Sequence, residues 1–114
     1  MNELPKELTN ELLSLVLGVH DVKEIDKVPF TDELTYVEDC EDLRVINIDT
    51  LTRLMKEFCF SNKCLIKSIK EINNEWKIEL ENTRELDYEY FRADSEFEAV
   101  LKATDWVIKE KGLI

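Results

Sequence analysis

Between Trp76 and Leu80 the chain alternates strictly, Trp76-Lys77-Ile78-Glu79-Leu80. A helix cannot bury one side of such a pattern, because it returns to the same face about every 3.6 residues and not every two. The segment therefore reads as a strand buried on one face and wetted on the other, which excludes a parallel sheet covered on both sides for this part of the chain. Leu86-Asp87-Tyr88-Glu89-Tyr90 alternates in the same way after the turn residues Glu81-Asn82-Thr83-Arg84. Leu86, Tyr88 and Tyr90 are accordingly expected to face inward with Trp76, Ile78 and Leu80. Glu85, Asp87 and Glu89 are then expected on the opposite face with Glu79 and Glu81, about 6.5 Å apart along their strand. Trp76 is expected to be buried and Trp106, which falls off the main apolar stripe of its helix, to be partly accessible.

A one-sided sheet needs a cover, and three helical periodicities supply it. Leu8, Leu12, Leu15 and Val16 recur at helical spacing after Pro5 and before Gly18, which predicts a short helix over about 5–17. Ile48, Leu51, Leu54, Met55 and Phe58 mark a second helix, with Asn47 or Asp49 as its cap. Ser95 and Glu98 have the spacing of a capping box, and Phe97, Val100, Leu101, Thr104 and Ile108 form the stripe of a third helix running to about 111, before Gly112. Two further strands, Leu34–Val37 and Leu43–Ile46, flank the acidic tip Glu38-Asp39-Cys40-Glu41-Asp42, and Cys64–Ile69 reads as another strand. The expected fold is a single α+β domain over residues 1–114. It has one antiparallel sheet of about five strands, helices 2 and 3 on its apolar face, and a peripheral helix 1.

The chain of 114 residues carries 26 acidic and 15 basic side chains, a net charge of −11. Such a surface repels nucleic acid and anionic membrane, so a protein partner with a basic surface is the natural expectation. No stretch approaches the roughly 20 apolar residues of a membrane span, and no basic and apolar leader opens the sequence, which points to a cytoplasmic protein. The three cysteines Cys40, Cys59 and Cys64 have neither a CxxC spacing nor His neighbours, and read as free thiols in a reducing compartment.

The acids are concentrated in two places: Glu38, Asp39, Glu41 and Asp42 at the hairpin tip, and Glu79, Glu81, Glu85, Asp87 and Glu89 along the last two strands. These nine are the candidate partner-binding residues, a docking strip for a basic groove such as the channel of a nucleic-acid enzyme. A solvated sheet face that resists aggregation is the plainer reading of the same residues. A second reading of function is a structural or oligomeric accessory protein with an apolar interface made of helix 1 and Trp106. Lys63, Lys67 and Lys70 form a small basic stripe without interleaved aromatics, which reads as charge balance.

Ile46-Asn47-Ile48-Asp49-Thr50-Leu51, the two strands after it, and Ala93-Asp94-Ser95-Glu96-Phe97-Glu98-Ala99-Val100-Leu101-Lys102-Ala103 together resemble small phage and prophage proteins of the phage ABA-sandwich type. The resemblance spans about residues 44–112. It implies a phage or prophage origin and, as an alternative fold, a three-layer α/β/α sandwich, and it brings no activity or site residues with it.

Catalytic chemistry finds little footing. The one imidazole, His20, lies beside Asp21, and no spacing ties it to a cysteine nucleophile. The two glycines, Gly18 and Gly112, cannot form a phosphate loop. The tip carboxylates lack the glycine and the regular spacing of a calcium loop. The expectation is a non-enzymatic protein with no metal and no cofactor.

Overall fold

Local capping chemistry starts each helix where its sequence allows. Thr9 Oγ1 accepts a hydrogen bond from Leu12 N at 3.2 Å and begins α1 (Asn10–Leu17), which Gly18 ends in the left-handed conformation at φ 68°. Asn47 caps α2 (Ile48–Ser61), its Oδ1 accepting from Asp49 N at 2.8 Å. Ser95 Oγ accepts from Glu98 N at 3.2 Å and begins α3 (Glu96–Glu110), with Lys109 in its last turn. The computed structural model describes residues 3–39 and 41–114, so the reading of Cys40 as a free thiol lies outside the described residues. The strands are β1 (Val22–Lys27), β2 (Glu33–Glu38), β3 (Asp42–Asn47), β4 (Cys64–Lys70), β5 (Trp76–Asn82) and β6 (Asp87–Ala93).

The α+β class holds, but the single five-stranded sheet does not. The described strands form two separate antiparallel sheets of three, ordered β1-β2-β3 and β4-β5-β6. Each is a meander closed by local turns, α2 connects β3 to β4, and no described strand of one sheet pairs with a strand of the other. The strand missing from the sequence reading is β1. Its register shifts between Lys23 and Asp26, and Glu24 takes φ 53°. That bulge brings Val22 and Ile25, three positions apart, to the core and erases the period of two that announces a strand. The three-layer α/β/α alternative also falls, because the outer faces of both sheets are uncovered: Leu43 and Val45 on β3, and Tyr88 and Tyr90 on β6, are exposed.

Helix 1 is not peripheral. Leu12 and Leu13 are fully buried, and α1 packs on β1 and touches α2. The two sheets and three helices share one apolar cluster, in which Leu34 and Ile46 of the first sheet join Ile78 and Leu80 of the second through Leu51 and Met55 of α2 and Leu101 and Val107 of α3.

The inward face of β6 is the largest correction in register. Ile78 stands opposite Phe91, Leu80 opposite Glu89, Glu79 opposite Tyr90 and Glu81 opposite Tyr88. Phe91 and Ala93 are therefore the residues of β6 that share the helix-covered face with Trp76, Ile78 and Leu80, while Tyr88 and Tyr90 stand half exposed outside. The cause is Leu86, which is the last turn residue and not the first strand residue: its φ is 57° and its N–H donates to Asn82 O at 2.8 Å. One left-handed residue before the strand moves every later side chain to the other face. Trp76 is half buried beneath Lys70, whose ammonium lies 5.9 Å from the ring, so the expectation that it is buried is met only in part. Trp106 is half buried as well, tilted against Phe91 with ring centroids 6.2 Å apart.

Candidate functional site

The topology collects two hairpin turns and two helix starts at one end of the molecule. Asp32, in the turn between β1 and β2, accepts a hydrogen bond from Ile48 N at 2.7 Å, which fixes that turn against the start of α2. Because β4 runs back beside α2 and β6 leads directly into α3, the β4–β5 turn and the start of α3 come to the same end. Between them lies an open cleft of about 850 Å³, whose lining includes Phe30, Ile48, Thr52, Trp76 and Phe97.

The rim is acidic. Asp32, Asp49, Asp94, Glu96 and Glu98 line it, against Lys27 as the single basic residue of the lining. The ammonium of Lys27 is occupied by its own loop, donating to the carbonyl oxygens of Val28 and Thr31. Burial works against the charge of Glu96, but Lys56, at 2.9 Å, and the Ser68 hydroxyl together more than offset it and hold the carboxyl below its ordinary range. The positive ends of α2 and α3 face the cleft and are met by Asp49, Glu96 and Glu98 in their first turns.

Phe30 is the unusual residue of this end. It is fully exposed at the β1–β2 turn and holds φ 61°, a conformation that costs a bulky side chain energy and that Asn or Gly accepts far more readily. Ile72, in the β4–β5 turn, is also fully exposed. Neither side chain packs against the rest of the fold.

The acids singled out from the sequence are elsewhere and do not form one strip. The tip of Glu38, Asp39, Glu41 and Asp42 lies at the other end of the first sheet, where Asp39 N donates to Asp21 O at 2.9 Å and Arg44 pairs with Glu38 at 2.9 Å and Asp42 at 3.7 Å. Glu79 and Glu81 are on the outer face of the second sheet, in a mosaic with Lys67 opposite Glu79, Lys77 over the Tyr90 ring at 4.7 Å, and the Tyr88 hydroxyl donating to Glu81 at 3.4 Å. Glu85, Asp87 and Glu89 lie on the other side of β6, where they border a hollow with Trp106 and Glu110. The basic stripe divides too: Lys67 is on the outer face and Lys70 lies over Trp76. Trp106 and helix 1 lie on different sides of α3, since Asp105, Ile108 and Lys109 are the α3 residues beside the segment leading into α1. The cleft was invisible to sequence reading because its parts come from four distant segments. The one available signal was Phe30 directly after Pro29 in a charged connection.

The candidate reactive groups are separated. His20 is exposed after α1, whereas Cys59 and Cys64 are buried. Cys59 Sγ donates to Thr104 Oγ1 at 3.6 Å, and burial pushes its thiol up to about 12; burial also raises Cys64. Neither thiol ionises appreciably at neutral pH. With a water-soluble disulfide reagent at pH 8, Cys59 and Cys64 are expected to react only as the protein unfolds, and prompt labelling of either in the native state would contradict this packing. Among the described residues no group of three or more His, Cys, Asp or Glu side chains is placed to hold a metal ion.

Fold and site together define a small acidic α+β protein of two three-stranded meanders, with an acid-rimmed, aromatic-lined cleft at one end. Comparison with protein-family models, with curated proteins and with solved structures finds no match for this chain. No helix among the described residues is long and apolar enough to cross a membrane.

Proposed function

We propose that the protein is a non-enzymatic binding module that engages a basic protein surface through the acid-rimmed cleft, with Phe30 as the apolar anchor. The observation that carries this reading is Phe30 itself, a fully exposed aromatic held at positive φ beside five carboxylates. Strained, solvated side chains cluster at functional contacts, and aromatic anchors ringed by charge are the usual energetic centre of a protein interface. The surrounding carboxylates set the sign of the partner and steer its approach. A groove of a phage or host nucleic-acid enzyme has the required basic character, and a phage-type origin accords with such a partner.

The test is affinity capture from a bacterial lysate, compared at low salt and at about 0.5 M, where surface charges are screened within a few ångströms. Basic proteins are expected to be retained and to be lost as salt rises. Phe30→Asn separates contact from folding: Asn suits the left-handed conformation, so this variant should melt slightly higher than wild type yet lose at least tenfold in retained partner. Reversing Glu85, Asp87 and Glu89 to Lys should leave retention within about twofold, given their distance in the fold from the cleft. Retention that ignores Phe30→Asn but fails on that triple reversal would place the contact on β6 and overturn the assignment to the cleft.

A further inference from the structure

We propose that β3 is the pairing edge of a homodimer in which two copies of β3 align antiparallel with Leu43 on the two-fold axis. The occupant is a second copy of this chain, matched to the strand by the strand's own backbone and side chains.

Among the described strands β3 is an outer one of its sheet, paired on one side only. The hydrogen bond from Ile48 N to Asp32 O, at 2.7 Å, sets the alternation of the β2–β3 ladder: Asp42, Arg44 and Ile46 direct their N–H and C=O groups to β2. Leu43 and Val45 direct theirs to the free edge. Their side chains stand on the outer sheet face, 70% and 56% exposed. The other three outer strands carry features that discourage pairing. β1 is bulged and presents Lys23, Glu24, Asp26 and Lys27; β4 presents Lys67 and Lys70; β6 presents Asp87, Glu89 and Arg92. On β3, Arg44 is the one charge between Asp42 and the end of the strand.

Symmetry limits the registers. A two-fold axis perpendicular to the continuous sheet keeps both outer faces on the same side, so one residue must face its own copy. Centring on Arg44 sets two arginines directly opposite each other, which is unfavourable. Centring on Val45 pairs Arg44 with the partner's Ile46. Centring on Leu43 sets Asp42 opposite the partner's Arg44, and Arg44 opposite the partner's Asp42, with Leu43 against the partner's Leu43. Leu43 is also a residue whose N–H and C=O face the edge, so this register forms two hydrogen bonds on the axis itself. Within one chain Arg44 is firmly held by Glu38 at 2.9 Å and loosely by Asp42 at 3.7 Å, which leaves Asp42 able to serve the partner.

One pair of strands buries less than the roughly 1,200 Å² of stable complexes, so the dimer is expected in the upper micromolar range. Sedimentation velocity of the full chain from about 10 μM to about 1 mM should show a species of twice the 13.5 kDa chain mass growing in with concentration. Arg44→Asp and Asp42→Arg, each alone, oppose like charges and should weaken association at least tenfold. The combined exchange restores opposite charges across the axis and should recover it to within about threefold. In a Cys40→Ser background, Leu43→Cys should give a disulfide-linked dimer on mild oxidation, because Cα atoms of a hydrogen-bonded pair are about 5.5 Å apart. Val45→Cys, which faces the partner's Glu41, should not. A chain that stays monomeric at 1 mM, a dimer indifferent to the single charge reversals, or cross-linking through Val45→Cys in preference to Leu43→Cys would overturn the proposal.

Discussion

Replacing Leu34 by Ala is expected to destabilise the protein by about 2–5 kcal/mol, as much as replacing Leu80, although the two residues belong to different sheets. Both are fully buried in the same apolar cluster, so each truncation leaves a cavity that α2 and α3 cannot collapse to fill. In urea, each variant should shift the midpoint without changing the slope, and the shift should be the same by far-UV circular dichroism and by tryptophan fluorescence. Fluorescence makes this a test of architecture. Trp76 and Trp106 report on the second sheet and its helix, while Leu34 lies in the first. If the Leu34 variant lost part of its dichroism at low urea while its tryptophans kept the wild-type transition, the two sheets would be separate folding units and the shared core would be wrong. Losses of this size are a large share of the 5–15 kcal/mol typical of a domain, so the variants belong at low temperature.

The second large effect distinguishes the two faces of β6. Phe91→Ala is expected to cost about 2 kcal/mol, below the range for a fully buried phenylalanine because Phe91 is only partly covered, and Tyr88→Ala or Tyr90→Ala less than about 1 kcal/mol. Phe91 packs on Trp106 and stands opposite Ile78, whereas the tyrosines are half exposed on the outer face. The alternation read from Leu86-Asp87-Tyr88-Glu89-Tyr90 demands the opposite ranking. Equilibrium unfolding of the three variants decides between them, and a tyrosine variant costing more than Phe91→Ala would return Tyr88 and Tyr90 to the core.

That disagreement shows where sequence reading fails in this protein. Alternation states that two faces differ but not which of them meets the helices, and on β6 both contain apolar residues: Phe91 and Ala93 on one, Tyr88 and Tyr90 on the other. A single positive φ at Leu86 selects between them, and no residue there advertises it, since leucine is not a residue that turn chemistry favours in that conformation. At β1 the same kind of event, the bulge at Glu24, removed the strand from view altogether. The candidate site fails to appear in the sequence for a different reason. Asp49, Trp76 and Glu98 are ordinary residues in their own segments, and only the convergence of two turns and two helix starts makes them neighbours around one cleft.

What the sequence determined by itself is local: the cap Ser95, a cap for α2 at Asn47 or Asp49, the stop at Gly18, the stripes of α2 and α3, the hairpin around Glu38–Asp42, and the one-sided strand from Trp76 to Leu80. These rest on interactions within a few residues, where spacing is enough to specify the contact. The tertiary structure alone decided that the strands divide into two sheets, that α1 enters the core, that the acidic residues disperse over several surfaces, and that a cleft opens at one end. Each of those depends on pairings between segments far apart in the chain. Their choice is set by how all the apolar faces can be buried at once, a condition on the whole fold that no single segment carries.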